Sequence, residues 1–160
     1  MSIDHNVSDF CLATVVTPKS IEAMLEADGA GLFKDQHLWR VAETFFQQAR
    51  AADLAVPLLF AVRGGEECWF SHWSMIDSIE VLELPDSRGE SRCYFDRLQP
   101  FNPIWQAIDS VSHKPSDEQL SREKLEGART LRWPLQDNQL HPYTICETPA
   151  FIGASGDQKR

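Results

Sequence analysis

The stretch "VPLLFAVRGGEECWFSHWSMIDSIEVLEL", residues 56–84, decides the fold. It opens on an apolar run, breaks at Gly64-Gly65 and resumes with Trp69 and Trp73 on either side of Ser71 and His72. Within 56–62, Val56, Leu58, Phe60 and Val62 alternate with Leu59 and Ala61, so both faces of the segment are apolar. A strand of that pattern is covered on both sides, or lines a barrel beneath a helix. Pro57 has no N–H to give to a ladder and belongs at the strand's start. Gly64-Gly65 tolerates positive φ at both centres of a tight turn, so "RGGEE" reads as a hairpin.

The returning arm, 68–84, places Trp69, Ser71 and Trp73 on one face and Cys68, Phe70 and His72 on the other. Further on, Ile79 and Val81 keep the odd face while Ile76, Leu82 and Leu84 are even. A bulge near Asp77-Ser78 accounts for the change of side and bends the strand as a barrel requires. "PDSRGES" turns the chain, and "RCYFDRL" (92–98) returns with Cys93 and Phe95 on one face and Tyr94 on the other. Residues 56–98 are thus expected to form a three-stranded meander.

Before the hairpin, "DFCLATVV" (9–16) reads as a buried strand. Thr17 and Pro18 suit the cap and first position of a helix with Ile21, Met24 and Leu25 on one face and Gly29 as its stop. "AGLF" reads as a loop. Residues 35–54 read as a helix capped by Asp35, with Leu38, Val41, Ala42, Phe45, Ala49 and Ala52 as its apolar stripe. Trp39 and Phe46 widen that stripe, so the helix is expected to pack on two sides.

After the meander, "NPIWQAIDSV" reads as a short helix from Pro103. Residues 116–131 open with Ser116 and Gln119 in capping-box spacing and form a surface clamp with Leu120 and Leu125 inward and a weak end at Gly127. "HPYTICETPAFI" (141–152) supplies the last strand. The order β-α-α-β-β-β-α-α-β describes an α+β domain, a small mixed and strongly curved β-barrel of PUA-like kind with flanking helices. One domain over 1–153 and a disordered tail over 154–160 are expected.

Composition narrows the function. The chain has 160 residues and a net charge of −9, which disfavours broad, charge-driven binding to duplex DNA. No apolar run reaches the roughly 20 residues of a membrane span. "MSIDHNVSDF" has neither the basic nor the apolar region of a secretory signal, so a cytoplasmic protein with reduced Cys11, Cys68, Cys93 and Cys146 is expected. A Cys68–His72 metal pair would have its α-carbons about 13 Å apart on one strand, too far for a shared ion. No metal site and no cofactor are expected. G-x-S-x-G, Walker, dinucleotide and H-E-x-x-H patterns are missing, and no enzyme is expected.

"LWRVAETFFQQAR", with Trp39, Val41, Gln48, Ala49 and Arg50, runs into an apolar strand, a hairpin and an arm ending in "IEV". In this order of parts the chain resembles the EVE-like domains, relatives of the YTH domains in the PUA-like superfold, over roughly residues 39–82. Ala55-Val56-Pro57 stands where that family has Gly-Asp. The resemblance implies a reader of modified bases in DNA or RNA, of the kind that accompanies bacterial restriction and defence or RNA processing. Such a reader holds a flipped-out base in an aromatic pocket. Candidates for the pocket are Trp69, Ser71, Trp73, Trp39, Tyr94 and Trp105. Its cavity is expected between the barrel and the 35–54 helix. Arg88 and Arg92 are candidates for phosphate contacts at its rim. A second reading is an acidic inhibitor of the immunity or anti-defence type, whose surface engages a basic protein partner.

Overall fold

The structure, a computed structural model, describes residues 6–27, 31–85 and 88–152. The stop expected at Gly29, the centre of the turn at Asp86-Ser87 and the tail 154–160 lie outside the described residues. The strands are β1 (Asn6–Val7), β2 (Phe10–Val16), β3 (Gly31–Asp35), β4 (Leu54–Ala55), β5 (Pro57–Gly64), β6 (Glu67–Leu84), β7 (Arg88–Phe95), β8 (Gln99–Pro100), β9 (Gln106–Ala107) and β10 (Thr144–Glu147). The helices with described bounds are α1 (Pro18–Glu26), α2 (Arg40–Ala51) and α3 (Asp117–Glu126). The main sheet runs β10-β2-β5-β6-β7-β3, with β8 and β9 paired onto β6, and β1 pairs β4 separately. The result is a mixed α+β fold around a sheet curled into a half-barrel.

β5 is the centre because its residues are apolar on both faces. It pairs in parallel with β2 and antiparallel with β6, and every residue from Pro57 to Val62 is buried. One face looks into the half-barrel, where the Phe60 ring meets Phe95 at 5.3 Å and Phe33 at 6.0 Å. Trp39 closes that end, 5.9 Å from Phe33 and 4.6 Å from Tyr143. On the opposite face, Phe70 stacks on Phe101 with ring centroids 5.1 Å apart, and Phe151 meets Phe101 edge-on.

The three antiparallel strands of the meander are present with Pro57 at the start of β5, but the turn is centred on Gly65-Glu66 rather than Gly64-Gly65. The third strand begins at Arg88, inside the stretch read as a turn, and ends at Phe95. Only Gly65 has positive φ there, at 69°. The expected bulge is present, with Ile76 opposite Phe95 and Ser78 opposite Tyr94, which leaves Asp77 unpaired. A second bulge was not legible. Phe60 pairs His72 and Ala61 pairs Phe70, so Ser71 is the extra residue. Together the two bulges let one strand of 18 residues serve β5 with its first half and β7 with its second.

Several expectations change. Of the "AGLF" read as a loop, Gly31, Leu32 and Phe33 belong to β3, which pairs β7 from Gly31–Phe95 to Asp35–Ser91. Asp35 therefore ends a strand, and α2 begins only at Arg40. The buried face of α2 is Ala42, Phe46 and Ala49, whereas Val41 is 65% exposed and Leu38 also faces solvent. Trp39 sets this rotation, because its indole enters the core just before the first turn. α2 thus packs on one side.

The expected helix from Pro103 is replaced by a bend in which Trp105 has φ 66°, followed by β9. The open edge of β6 takes this segment as a ladder partner, Ala107 on Trp69 and Gln106 on Phe70. α3 has no buried residue, and Leu125 lies in solvent rather than inward. Ser116 Oγ does cap α3, accepting from Gln119 N at 3.1 Å. The Gln119 side chain instead donates to Thr130 Oγ1 and Leu131 O. Gly127 ends α3 in the left-handed conformation that the cap requires, with φ 69°. No helix among the described residues is long and apolar enough to cross a membrane.

Candidate functional site

β5 is regular, so residues three apart along it face opposite ways. Trp69 pairs with Val62 and Trp73 with Leu59. Cross-strand partners share a face, so the two indoles stand on opposite faces of the sheet. This overturns the expected Trp-Ser-Trp face, and the cause is the extra residue Ser71. Ser71 is itself fully buried, with its Oγ 2.9 Å from His72 Nδ1. Burial holds the His72 imidazole below its ordinary pKa.

Trp73 is half-buried and lines a cleft of about 450 Å³. Met75 and Phe151 form its other apolar walls, and Asp96, Gln99 and Asn102 supply polar groups. Arg97, also at the cleft, is engaged in an interaction of its own. The cleft lies between β6 and the 96–102 segment, not between the sheet and α2. Its polar side is held by main-chain bonds. Asp96 N donates to Met75 O at 3.1 Å, and the buried Ser74 hydroxyl reaches the carbonyls of Asp96 and Arg97 at 2.7 and 3.1 Å. Gln99 is the cross-strand partner of Trp73, so its carboxamide stands beside the indole.

The other candidates are scattered. Trp69 is 39% exposed and donates its Nε1–H to Glu67 at 3.2 Å. Trp39 is core, with Nε1 bonded to Asp35 Oδ2 at 2.8 Å and its main-chain N to Ser91 Oγ at 2.8 Å. Tyr94 lies on β7, its hydroxyl on Glu80. Trp105 is 52% exposed on the bend before β9. Arg92 is matched by Glu90, Nε to Oε2 at 2.5 Å, and Arg88 opens β7 in solvent.

Other clusters escaped the sequence reading because their members are distant in the chain. Arg132 grips Glu123 through two nitrogens and Glu147 through Nε at 2.8 Å. Arg129 adds a second cation to Glu147 at 2.8 Å. Hydrogen bonds from Arg132 and Thr130 pull the Glu123 carboxyl down to about 2. This network is what fastens α3, which has no apolar face to bury. Beside it opens a larger, polar cleft of about 700 Å³, lined in part by Asp9, Ser112, Arg129 and Glu147.

A further cluster joins Asp35, His37 and His141. Asp35 Oδ2 accepts from His37 N and faces His37 Nδ1 at 3.0 Å, and the two imidazoles meet edge-on at 5.0 Å. Cys11 and Cys146 oppose one another across β2 and β10 with sulfurs 3.6 Å apart. All four cysteines are free and buried. Among the described residues, no group of three His, Cys, Asp or Glu side chains is placed to hold a metal ion.

The Trp73 cleft joins a half-buried aromatic wall to polar groups, the arrangement a flat ligand needs. Comparison of the chain with family models, with curated proteins and with solved structures gives no match.

Proposed function

We propose that this chain is a binding module for an unpaired, modified nucleobase of DNA or RNA, built on a half-barrel of PUA-like kind. The carrying observation is the placement of Gln99 beside half-buried Trp73 in a cleft with Met75 and Phe151 walls. A base taken out of its stack loses a few kcal/mol. Stacking on one indole returns about 1–3 kcal/mol. The carboxamides and the carboxylate then read the base edge, and the apolar walls accept a methyl group.

The charge distribution supports recognition through the base rather than the backbone. The chain carries −9 overall, and Arg92 is neutralised by Glu90. Few phosphates are therefore engaged, and log K against log salt is expected to slope at about −1 to −3. The test is a panel of short DNA and RNA strands with single modified bases, titrated at low and moderate salt. Trp73→Ala is expected to weaken binding roughly 5- to 150-fold, while Trp69→Ala leaves it unchanged. A slope much steeper than −3, or equal loss in both variants, overturns this reading.

One observation favours the second reading, an acidic protein-interaction module. The segment around Arg132 is inside out, with Arg132 turned inward while Leu131 is 74% and Trp133 68% exposed. Large apolar side chains beside an inward charge reverse the usual pattern and mark contact surfaces. Crosslinking through a photoreactive residue at 131 with a basic protein partner tests it. Unchanged capture by a Leu131→Ser, Trp133→Ser double variant refutes it.

A further inference from the structure

We infer that the Trp73 cleft selects a guanine-type base edge, an inference that rests on the nucleobase reading above. Asp96 is the deciding residue. Its main chain is fastened to β6 through Met75 O and the buried Ser74 hydroxyl, so its backbone at the cleft is held before any ligand arrives. Among the described residues, its carboxylate makes no hydrogen bond and no ion pair.

An ionised carboxylate is an acceptor only, whereas Gln99 and Asn102 both donate and accept. The four base edges answer this set differently. Guanine offers two adjacent donors, N1–H and the N2 amino group, which one carboxylate can span. Its O6 beside them takes a hydrogen bond from a carboxamide N–H. Adenine and cytosine place a ring-nitrogen acceptor next to their amino group, so one carboxylate oxygen faces a lone pair. Uracil and thymine offer a single N3–H between two carbonyls. Only the guanine edge satisfies both carboxylate oxygens without such a conflict.

Charge points the same way. N7 methylation leaves the guanine edge intact and makes the ring cationic. A cationic ring is favoured over an indole face and in a chain of net charge −9. Arg97 lines the same cleft and is itself engaged, so no part in recognition is assigned to it.

The experiment is calorimetric titration of the full chain with GMP, 7-methyl-GMP, AMP, CMP and UMP, using wild type, Asp96→Asn and Trp73→Ala. Unchanged thermal midpoints confirm that the variants are folded. Wild type is expected to bind the two guanine nucleotides roughly 10-fold or more tighter than the others, as a charge-assisted pair of hydrogen bonds implies. Asp96→Asn is expected to erase that preference while keeping base-independent stacking. Trp73→Ala is expected to weaken all five. If nucleotides bind with no guanine preference, or if Asp96→Asn keeps the preference, the guanine inference falls and the nucleobase reading stands. If none of the five nucleotides binds folded wild type at millimolar concentration, both fall.

Discussion

Replacing Gly31 by alanine tests the half-barrel at its tightest joint. A Cβ placed on Gly31 would lie 2.3 Å from Phe95 Cε1 and 2.4 Å from Cζ. Gly31 pairs with Phe95 across β3 and β7, and the Phe95 ring is only 1% exposed. That ring also packs at 5.3 Å against Phe60, so it has no free space into which to swing. Two effects compete. Alanine stabilises by about 0.4–1 kcal/mol through lower unfolded-state entropy. Overpacking a filled core costs about 1–3 kcal/mol. The clash wins, and a net loss of about 1–2 kcal/mol follows, which lowers the thermal midpoint by roughly 2–8 °C. Urea denaturation read by tryptophan fluorescence measures it. A Phe95→Leu background removes the atoms that clash, so Gly31→Ala should cost close to nothing there. If Gly31→Ala is neutral in the wild-type background, β3 does not sit on Phe95 and the register of the β3–β7 pair is wrong.

Gly64→Ala is the matched control: its Cβ would meet nothing within 4 Å, so stability should hold or rise by up to about 1 kcal/mol in the same urea assay. Burial pushes the Cys93 thiol up to about 12, and the hydrogen bond with Cys11, together with burial, raises Cys146 well above its ordinary value. Native protein at pH 8 should therefore resist iodoacetamide at both sites, with labelling appearing only on unfolding, as read by peptide mass spectrometry. The Glu123 pKa is lowered in the folded state from its ordinary 4.5 to about 2, so its contribution is complete above 4.5 and is lost as pH falls toward 2. Hydrogen exchange across residues 117–132 should hold from neutral pH to about 4.5 and loosen below it, and Arg132→Met should loosen the same residues at neutral pH. Trp133→Ser should change stability by less than about 0.5 kcal/mol, because the residue is 68% exposed in the isolated chain.

The hairpin and meander were legible because their signals are local. A two-sided apolar run, a proline at its start and a glycine turn each constrain only their neighbours, and burial of β5 on both faces followed. The Thr17 and Ser116 caps were legible for the same reason, since a cap is satisfied within three residues. The face of each indole was not. Trp69 and Trp73 share a parity in the chain but are divided by Ser71, and that extra residue exists only in the register between β6 and β5. A one-residue insertion reverses every side chain beyond it, so spacing alone could not place the aromatic site. The bend at Trp105 and the strand at Gly31 likewise answer to edges of β6 and β7 that are far away in sequence. The inward turn of Arg132 depends on carboxylates from α3 and β10 that only the folded chain brings together. The sequence determined the β5–β6 hairpin and the caps at Thr17 and Ser116, because propensity and sterics act over a few residues. The tertiary structure alone decided which aromatic lines a cleft, because strand register and the meeting of distant charges are properties of the packed whole.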